Sequence, residues 1–322
     1  MLNIGLISKW HVHAGGYAKQ LKSDPRVRIA AVWDEDPERG AKWAQELGAP
    51  FIADYDAFLA GDIQAVVCDS PTTRHAELLV KAAQAGKHIF TEKLLAPDTA
   101  GAEAIAKAVR ENGVTFTISL PCKGDRTVLY VKKLIDEGKL GQVTGARFRR
   151  SHNGVNWLPK YWFDLEQSGG GALMDLGAHP VYVLGWLFGA PKRVTALMAE
   201  LFGTGSDENT IALAEFEGGI LGTMETAFVT QGVPDLLEVY GTKGAVYVRD
   251  GKVAKNTGMG LRPVPARSLP AGKPNPLSQF IQACLDGAAE PEGLGLEDGI
   301  LMTKITEAAY ASDREGKAIT WA

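Results

Sequence analysis

The chain has 322 residues, 45% of them hydrophobic and 22% charged, with a formal net charge of -4. That length exceeds a single core and predicts two domains, and the composition is that of an ordinary globular protein. The mild negative charge excludes a nucleic-acid footprint and a polybasic membrane anchor, and the apolar runs fall well short of a membrane span.

Leu2–Ile7 already reads as a strand, which predicts that no signal peptide precedes the fold. Three further compact apolar runs, Val27–Trp33, Ala65–Cys68 and His88–Thr91, are flanked by turn residues as buried parallel strands are, and Val114–Ser119 reads as a fifth. Helical stretches alternate with them at Gly15–Lys22, Pro37–Leu47, Tyr55–Ala60, Thr72–Ala85 and Asp98–Asn112. Asp36-Pro37 is a helix start, and Gly48, Gly86 and Gly113 stand where helices should stop. This order predicts an α/β domain over residues 1–120, a doubly wound parallel sheet of the Rossmann type.

Past residue 120 the pattern changes. A helix at Thr127–Glu137 precedes an alternating strand, Val143–Ser151, and a glycine-rich stretch introduces a helix over Ala172–Leu187. Five strands then follow without helices between them: Arg193–Leu201, Thr210–Glu217, Ile220–Val229, Leu236–Tyr240 and Ala245–Arg249. Glu217-Gly218-Gly219 and Gly241-Thr242-Lys243-Gly244 read as hairpin turns with glycines available for positive φ. Residues 121–322 are therefore expected to form an α+β domain with an open, mostly antiparallel sheet. Gly258–Pro276 reads as a loop, and the helices Pro276–Gly287 and Leu296–Glu315 are candidates to pack back on the first domain. The three cysteines, Cys68, Cys122 and Cys284, are scattered and odd in number, which argues against disulfides or a zinc cluster and fits a cytoplasmic location.

A dinucleotide turn normally carries three glycines after the first strand, because the backbone must approach the pyrophosphate closely. Here Ser8, Trp10, His11, Val12 and His13 occupy that turn. What survives is the strand–turn–helix context and Asp34, placed where an acidic side chain accepts from the adenosine ribose hydroxyls, or where it merely begins the next turn. No Arg or Lys follows Asp34 directly, which favours NAD over NADP. His11 and His13 alone do not make a metal site, since no further Cys, His or Asp ligand stands near them in sequence, and no metal is expected. They read instead as lining the phosphate or substrate side of the turn.

Ligands of open parallel sheets sit at the carboxyl ends of strands, which brings in Asp69–His75 and Glu92-Lys93-Leu94. In the second domain, Asp175 and His179 are four residues apart in the expected helix and would share a face, with the carboxylate steadying the imidazole as a proton acceptor. Lys93 is a candidate cation for a developing alkoxide. Arg149, His152, Asn153, Trp157, Tyr161 and Trp162 form a polar and aromatic patch suited to a sugar ring, with Lys123 and Arg126 as further candidates.

Glu92-Lys93 after its strand, followed about eighty residues later by Gly169-Gly170-Gly171-x-Leu173-x-Asp175-x-Gly177-x-His179, resembles the glucose–fructose oxidoreductase / inositol dehydrogenase (Gfo/Idh/MocA) family across nearly the whole chain. The resemblance implies an NAD-dependent oxidoreductase that moves a hydride between nicotinamide and a secondary hydroxyl of a sugar, polyol or sugar derivative. It assigns Lys93, Asp175 and His179 to catalysis, Glu92 and Lys93 to the nicotinamide ribose, and Ser70, Thr72 and His75 to the cofactor's border. It also implies a homodimer or homotetramer assembled through the second-domain sheet. Two positions depart from the family pattern: Leu94 replaces a proline, and Tyr182 replaces an acidic residue that contacts substrate. A redox-neutral glycosidase or epimerase using bound NAD transiently is the second reading, and a non-catalytic dinucleotide sensor the third.

Overall fold

The computed structural model describes residues 1–258 and 260–321. Its elements in chain order are β1 (Leu2–Ile7), α1 (Ala14–Ser23), β2 (Val27–Trp33), α2 (Pro37–Leu47), α3 (Tyr55–Ala60), β3 (Ala65–Cys68), α4 (His75–Gln84), β4 (His88–Thr91), α5 (Thr99–Asn112) and β5 (Phe116–Ile118). They continue with α6 (Arg126–Asp136), β6 (Val143–Ser151), α7 (Leu165–Ser168), α8 (Ala178–Phe188), β7 (Arg193–Ala199), β8 (Asn209–Glu215), β9 (Leu221–Ala227), β10 (Leu236–Gly241), β11 (Gly244–Arg249), β12 (Lys252–Asn256) and β13 (Arg262–Val264). The chain closes with α9 (Pro276–Asp286), α10 (Leu296–Glu315) and β14 (Ile319–Thr320).

Two compact units result, residues 1–119 with 275–300, and residues 120–274 with 301–321. In the first, five parallel strands lie in the order β2-β1-β3-β4-β5. Several of its helices begin where a side chain satisfies the free amides of the first turn. Asp36 caps Glu38 and Arg39, Asp54 caps Ala57, and Asp98 caps Gly101. Gly48 at φ 70° and Gly113 at φ 60° end two of them in the left-handed conformation. Helix α9 belongs to this unit: Leu277, Phe280 and Ile281 join the core formed by Ile4, Leu6, Val67 and Phe90. The β5 edge is closed by the segment after α9, since Phe116 donates to the Ala289 carbonyl and Ile118 to that of Leu294.

The second unit holds nine strands in the order β13-β12-β11-β10-β6-β9-β8-β7-β14, antiparallel except for the β6–β9 pair. One face is buried through Phe148, Val194, Ala196, Ala212, Met224 and Val239, and helix α8, itself buried over most of its length, packs against β6 and β9. The opposite face exposes Leu197, Ile211, Leu213 and Leu221.

Several elements differ from the sequence expectation for identifiable reasons. The helix expected over 72–85 opens as a 3-10 turn, Thr72–Arg74, and becomes α-helical only at His75. The helix expected from Ala172 starts at Ala178: over 172–177 the chain makes turns, with the Gly177 amide reaching five residues back to the Ala172 carbonyl at 2.8 Å, while the Asp207 carboxylate takes the amides of Gly171 and Leu173 at 2.8 Å each. Strand β7 stops at Ala199 because Leu201 and Phe202 donate instead to Glu208, each at 2.7 Å. Residues 262–264 of the expected loop form an edge strand that tolerates Pro263, whereas residue 259 lies outside the described residues. The glycines of the β10–β11 hairpin serve close approach rather than positive φ: a Cβ on Gly241 would sit 2.2 Å from the Leu140 carbonyl oxygen.

Candidate active site

In the first unit the carboxyl ends of β1, β2, β3 and β4 carry the chemistry-bearing residues. Ser8, at the end of β1, has φ 68°, the left-handed conformation that glycine adopts freely and other residues adopt at a cost of about 1 kcal/mol. Its hydroxyl accepts the Trp10 amide at 3.0 Å and donates to Glu35 at 2.9 Å, so the side chain braces the bend. Gly15 and Gly16 follow in the first turn of α1, and a Cβ on either would meet nothing within 4 Å. The turn thus keeps a glycine-like bend and an open helix start without the three-glycine pattern, a cradle that fits a pyrophosphate.

Asp34 ends β2 and is buried. Its carboxylate accepts from the Lys9 and Asp36 amides, each at 2.9 Å, and from Arg39 through Nε at 3.0 Å and Nη2 at 2.6 Å. Arg39 also pairs with Glu35 at 2.6 Å. Burial, and then the neighbouring Asp34 charge, push the Glu35 carboxyl above the usual carboxylate range. No base follows Asp34 directly in sequence, but the first turn of α2 folds Arg39 back onto that carboxylate.

The end of β4 carries Glu92 and Lys93, both buried, followed by a cis Lys93–Leu94 peptide. Glu92 accepts from the Tyr17 hydroxyl, lies 2.9 Å from His13 Nδ1, and takes the Lys93 amide at 3.2 Å. Burial alone would raise its pKa, but His11, His13 and Lys93 together hold it well below the ordinary range. Asp69 behaves oppositely. Fully buried at the end of β3, with neither carboxylate oxygen hydrogen-bonded, it is pushed well above its ordinary value by burial and by the charge on Glu92. The ligand atoms of His11, His13 and Glu92 lie within 4.8 Å of one another. Glu92 stands 79 residues from His13 in the chain, outside any local ligand pattern around the two histidines. In the structure His11 Nδ1 accepts the His13 amide at 3.2 Å and His13 Nδ1 lies 2.9 Å from Glu92.

The residues expected at the cofactor's border divide. Ser70 and Thr72 are buried at the end of β3, with the Ser70 hydroxyl 3.2 Å from the Cys68 thiol. His75 is a structural fastener: its ring spans the carbonyls of Leu94 at 2.8 Å and Ser70 at 3.2 Å, tying the β3 and β4 ends together, and burial lowers its pKa. Trp10 is buried, whereas Val12 and His13 are exposed.

In the second unit, the glycine run before α8 is explained by crowding. A Cβ on Gly170 would press on the Tyr310 hydroxyl at 2.3 Å, and one on Gly171 would meet the Asp207 carbonyl oxygen at 2.1 Å. Asp175 lies in the turn preceding α8 rather than on the helix, so the shared-face argument for Asp175 and His179 does not hold as helix geometry. His179, in the first turn of α8, places Nδ1 2.8 Å from the Tyr182 hydroxyl. Tyr182, expected at substrate, is 3% exposed with its hydroxyl committed to the Cys122 amide and His179.

The aromatic patch is similarly sorted. His152, Asn153 and Trp157 line a cavity of about 320 Å³ with Asn156 and Gln231, and the Trp157 side chain is 56% exposed. His152 stacks on Phe228, and Asn153 donates to Gln231 at 2.9 Å. Trp162 is buried in the core and Tyr161 is exposed. Arg149 has a buried Nε without a hydrogen-bond partner. Lys123 is buried with its ammonium 5.8 Å from the Trp186 ring, and Arg126 is spent on the carbonyls of Ala266 and Pro270. Arg39, Tyr17, Arg150 and Asp235 were not singled out from sequence. Only Arg39 had a local signal, its place one helical turn past the end of β2.

Comparison with known proteins gives a consistent result. A profile described as an oxidoreductase family with an NAD-binding Rossmann fold matches residues 5–120, and one described as a GFO/IDH/MocA C-terminal domain matches residues 128–247. The chain is 28% identical to the inositol 2-dehydrogenase of Rhizobium meliloti, over 99% of this chain and 98% of that protein. It is 27% identical to the 2,7-anhydro-N-acetylneuraminate hydratase of Escherichia coli, over 77% of this chain and 68% of that protein. The crystal structure of GenD2 from gentamicin A biosynthesis, in complex with NAD, matches with a TM-score of 0.85 at 27% identity, covering 100% of this chain and 96% of that one.

Proposed function

The chain belongs to the GFO/IDH/MocA family of NAD-binding oxidoreductases, and on that premise we propose that it oxidises or reduces a secondary hydroxyl of a sugar, polyol or sugar derivative. The observation that carries this reading is Lys93, a buried ammonium at the carboxyl end of β4 in an NAD-binding sheet, where ligands of such sheets bind. The turn from Ser8 to Gly16 would hold the pyrophosphate, Asp34 the adenosine ribose, and Glu92 with Lys93 the nicotinamide ribose. NAD, when bound, accepts or returns a hydride at a carbinol carbon. Lys93 stabilises negative charge developing on the substrate oxygen, and His179 takes or returns the hydroxyl proton at Nε2. His152, Asn153 and Trp157 offer a sugar a hydrogen-bonding and stacking surface.

Lys93→Ala and His179→Ala test the assignment. Each is expected to lower kcat by roughly two to four orders of magnitude with NAD affinity nearly unchanged, and wild-type turnover in both would refute it. A redox-neutral reaction is the second reading, favoured by the hydratase relative. Product formed without accumulating NADH, from protein carrying NAD on purification, would select it.

The division of labour falls near residue 120, with residues 1–119 and 275–300 binding dinucleotide and residues 120–274 with 301–321 binding substrate. The exposed row Leu197, Ile211, Leu213 and Leu221 on the second sheet would join copies of the chain into a homodimer or homotetramer. Among the described residues no helix is long and apolar enough to cross a membrane. Three unpaired cysteines fit a cytoplasmic enzyme.

A further inference from the structure

Tyr182 stands where the family pattern has an acidic residue, and its surroundings give it a different task. Its hydroxyl oxygen accepts the Cys122 amide at 3.0 Å and lies 2.8 Å from His179 Nδ1. Cys122 Sγ lies 3.6 Å from the same nitrogen and takes an N–H from Arg150 at 3.3 Å. Arg150 is in turn gripped by Asp235 through Nε at 2.9 Å and Nη2 at 2.6 Å. Tyr182 and Cys122 are buried, and burial pushes both the phenol and the thiol up, so both stay protonated and neutral through the working pH range.

A carboxylate on Nδ1 can only accept, which locks the proton on that nitrogen and stabilises the imidazolium. A hydroxyl both donates and accepts. With one lone pair committed to the Cys122 amide, the Tyr182 oxygen can receive Nδ1–H while turning its own proton toward Cys122 Sγ, or donate that proton to a bare Nδ1.

We propose that Tyr182 is a positioning residue for His179, holding the ring by Nδ1 so that Nε2 is the nitrogen that exchanges a proton with substrate, and following the protonation state of the ring by rotation of its own O–H. Cys122 and the Arg150–Asp235 pair are the frame that fixes the hydroxyl. The proton balance is simple: Nε2 gains the substrate proton as the alcohol is oxidised and loses it on the reverse path. Tyr182 ends each passage with the proton it began with. The inference rests on the acid/base role assigned to His179.

The test is Tyr182→Phe, which keeps the ring and removes the hydroxyl. We expect kcat to fall roughly ten- to a hundredfold from misplacement of the imidazole, with KM and NAD affinity changed less than about twofold. In protein labelled with 15N-histidine, the ring nitrogen resonances of His179, assigned by their loss in His179→Ala, should move in Tyr182→Phe and stay put in the control Tyr247→Phe. Asp235→Asn, at a half-exposed position, loosens Arg150 without entering the core and should move the same resonances less, in the same direction. Unmoved resonances with wild-type kcat in Tyr182→Phe would overturn the proposal, and should that variant not fold, unmoved resonances in Asp235→Asn would do so. Full turnover in His179→Ala would instead sink the acid/base role itself, whatever the spectra show.

Discussion

Asp34→Ala probes the least orthodox part of the cofactor site. The wild-type carboxylate takes four donors, the Lys9 and Asp36 amides and two nitrogens of Arg39, so ribose hydroxyls bind there only by sharing or displacing Arg39. Around that point stand two carboxylates, Asp34 and Glu35, against one guanidinium. Removing Asp34 deletes a charged acceptor for the ribose, a loss for NAD of about 1.5 kcal/mol. It also removes a negative charge from the neighbourhood of a 2′-phosphate and frees part of Arg39. One unit charge at roughly 7 Å in a half-solvated site contributes about another 1.5 kcal/mol in favour of NADP. Together these amount to about 3 kcal/mol, a swing of roughly two orders of magnitude in the ratio of NAD to NADP affinity. Fluorescence titration with NADH and NADPH reads that ratio directly. Arg39→Ala is the companion, expected to leave NAD binding and to weaken further whatever NADP binding exists. An equal loss for both cofactors in Asp34→Ala would show that the residue only shapes the turn and caps Lys9 and Asp36.

Other outcomes are open to simpler measurements. Asp69 is pushed above its ordinary value, so the native state holds more protons than the unfolded one, and stability falls as pH rises from about 4 toward the folded value. Asp69→Asn should therefore be more thermostable than wild type at pH 8 and equal at pH 4, and parallel melting curves across pH would refute this. Gly171→Ala forces a Cβ against the Asp207 carbonyl oxygen and should cost about 2–4 kcal/mol by denaturant melts. A loss under 1 kcal/mol would mean the turn relaxes freely. Leu197 and Ile211 are cross-strand partners on the exposed sheet face, so Leu197→Glu with Ile211→Lys should reduce the mass found by light scattering to that of one chain. An unchanged oligomer would place the interface elsewhere.

Much of the architecture was legible because it is local. Alternating apolar runs and helix caps such as Asp36-Pro37 and Gly48 depend on neighbours within a few residues, and strands β1 to β4 have the bounds their apolar runs suggest. The strand-end positions of Asp34, Glu92 and Lys93 were likewise readable, since the carboxyl ends of parallel strands converge. Pairings between distant segments were not readable. That Asp207 reaches back to hold the amides of Gly171 and Leu173 has no trace in local periodicity.

The glycine-poor turn shows the same boundary at one site. Sequence alone determined that a strand, a turn and a helix meet there and that Asp34 follows. Only the tertiary structure decided that Ser8 adopts the glycine conformation, that Arg39 folds onto Asp34, and that His13 and Tyr17 converge on Glu92. The reason is physical. Backbone preference and capping are settled within a few residues. The charge state of a buried carboxylate is settled by whichever groups the fold brings within a few ångströms of it, and Asp69 and Glu92, lying at the ends of adjacent strands, are driven in opposite directions by those neighbours.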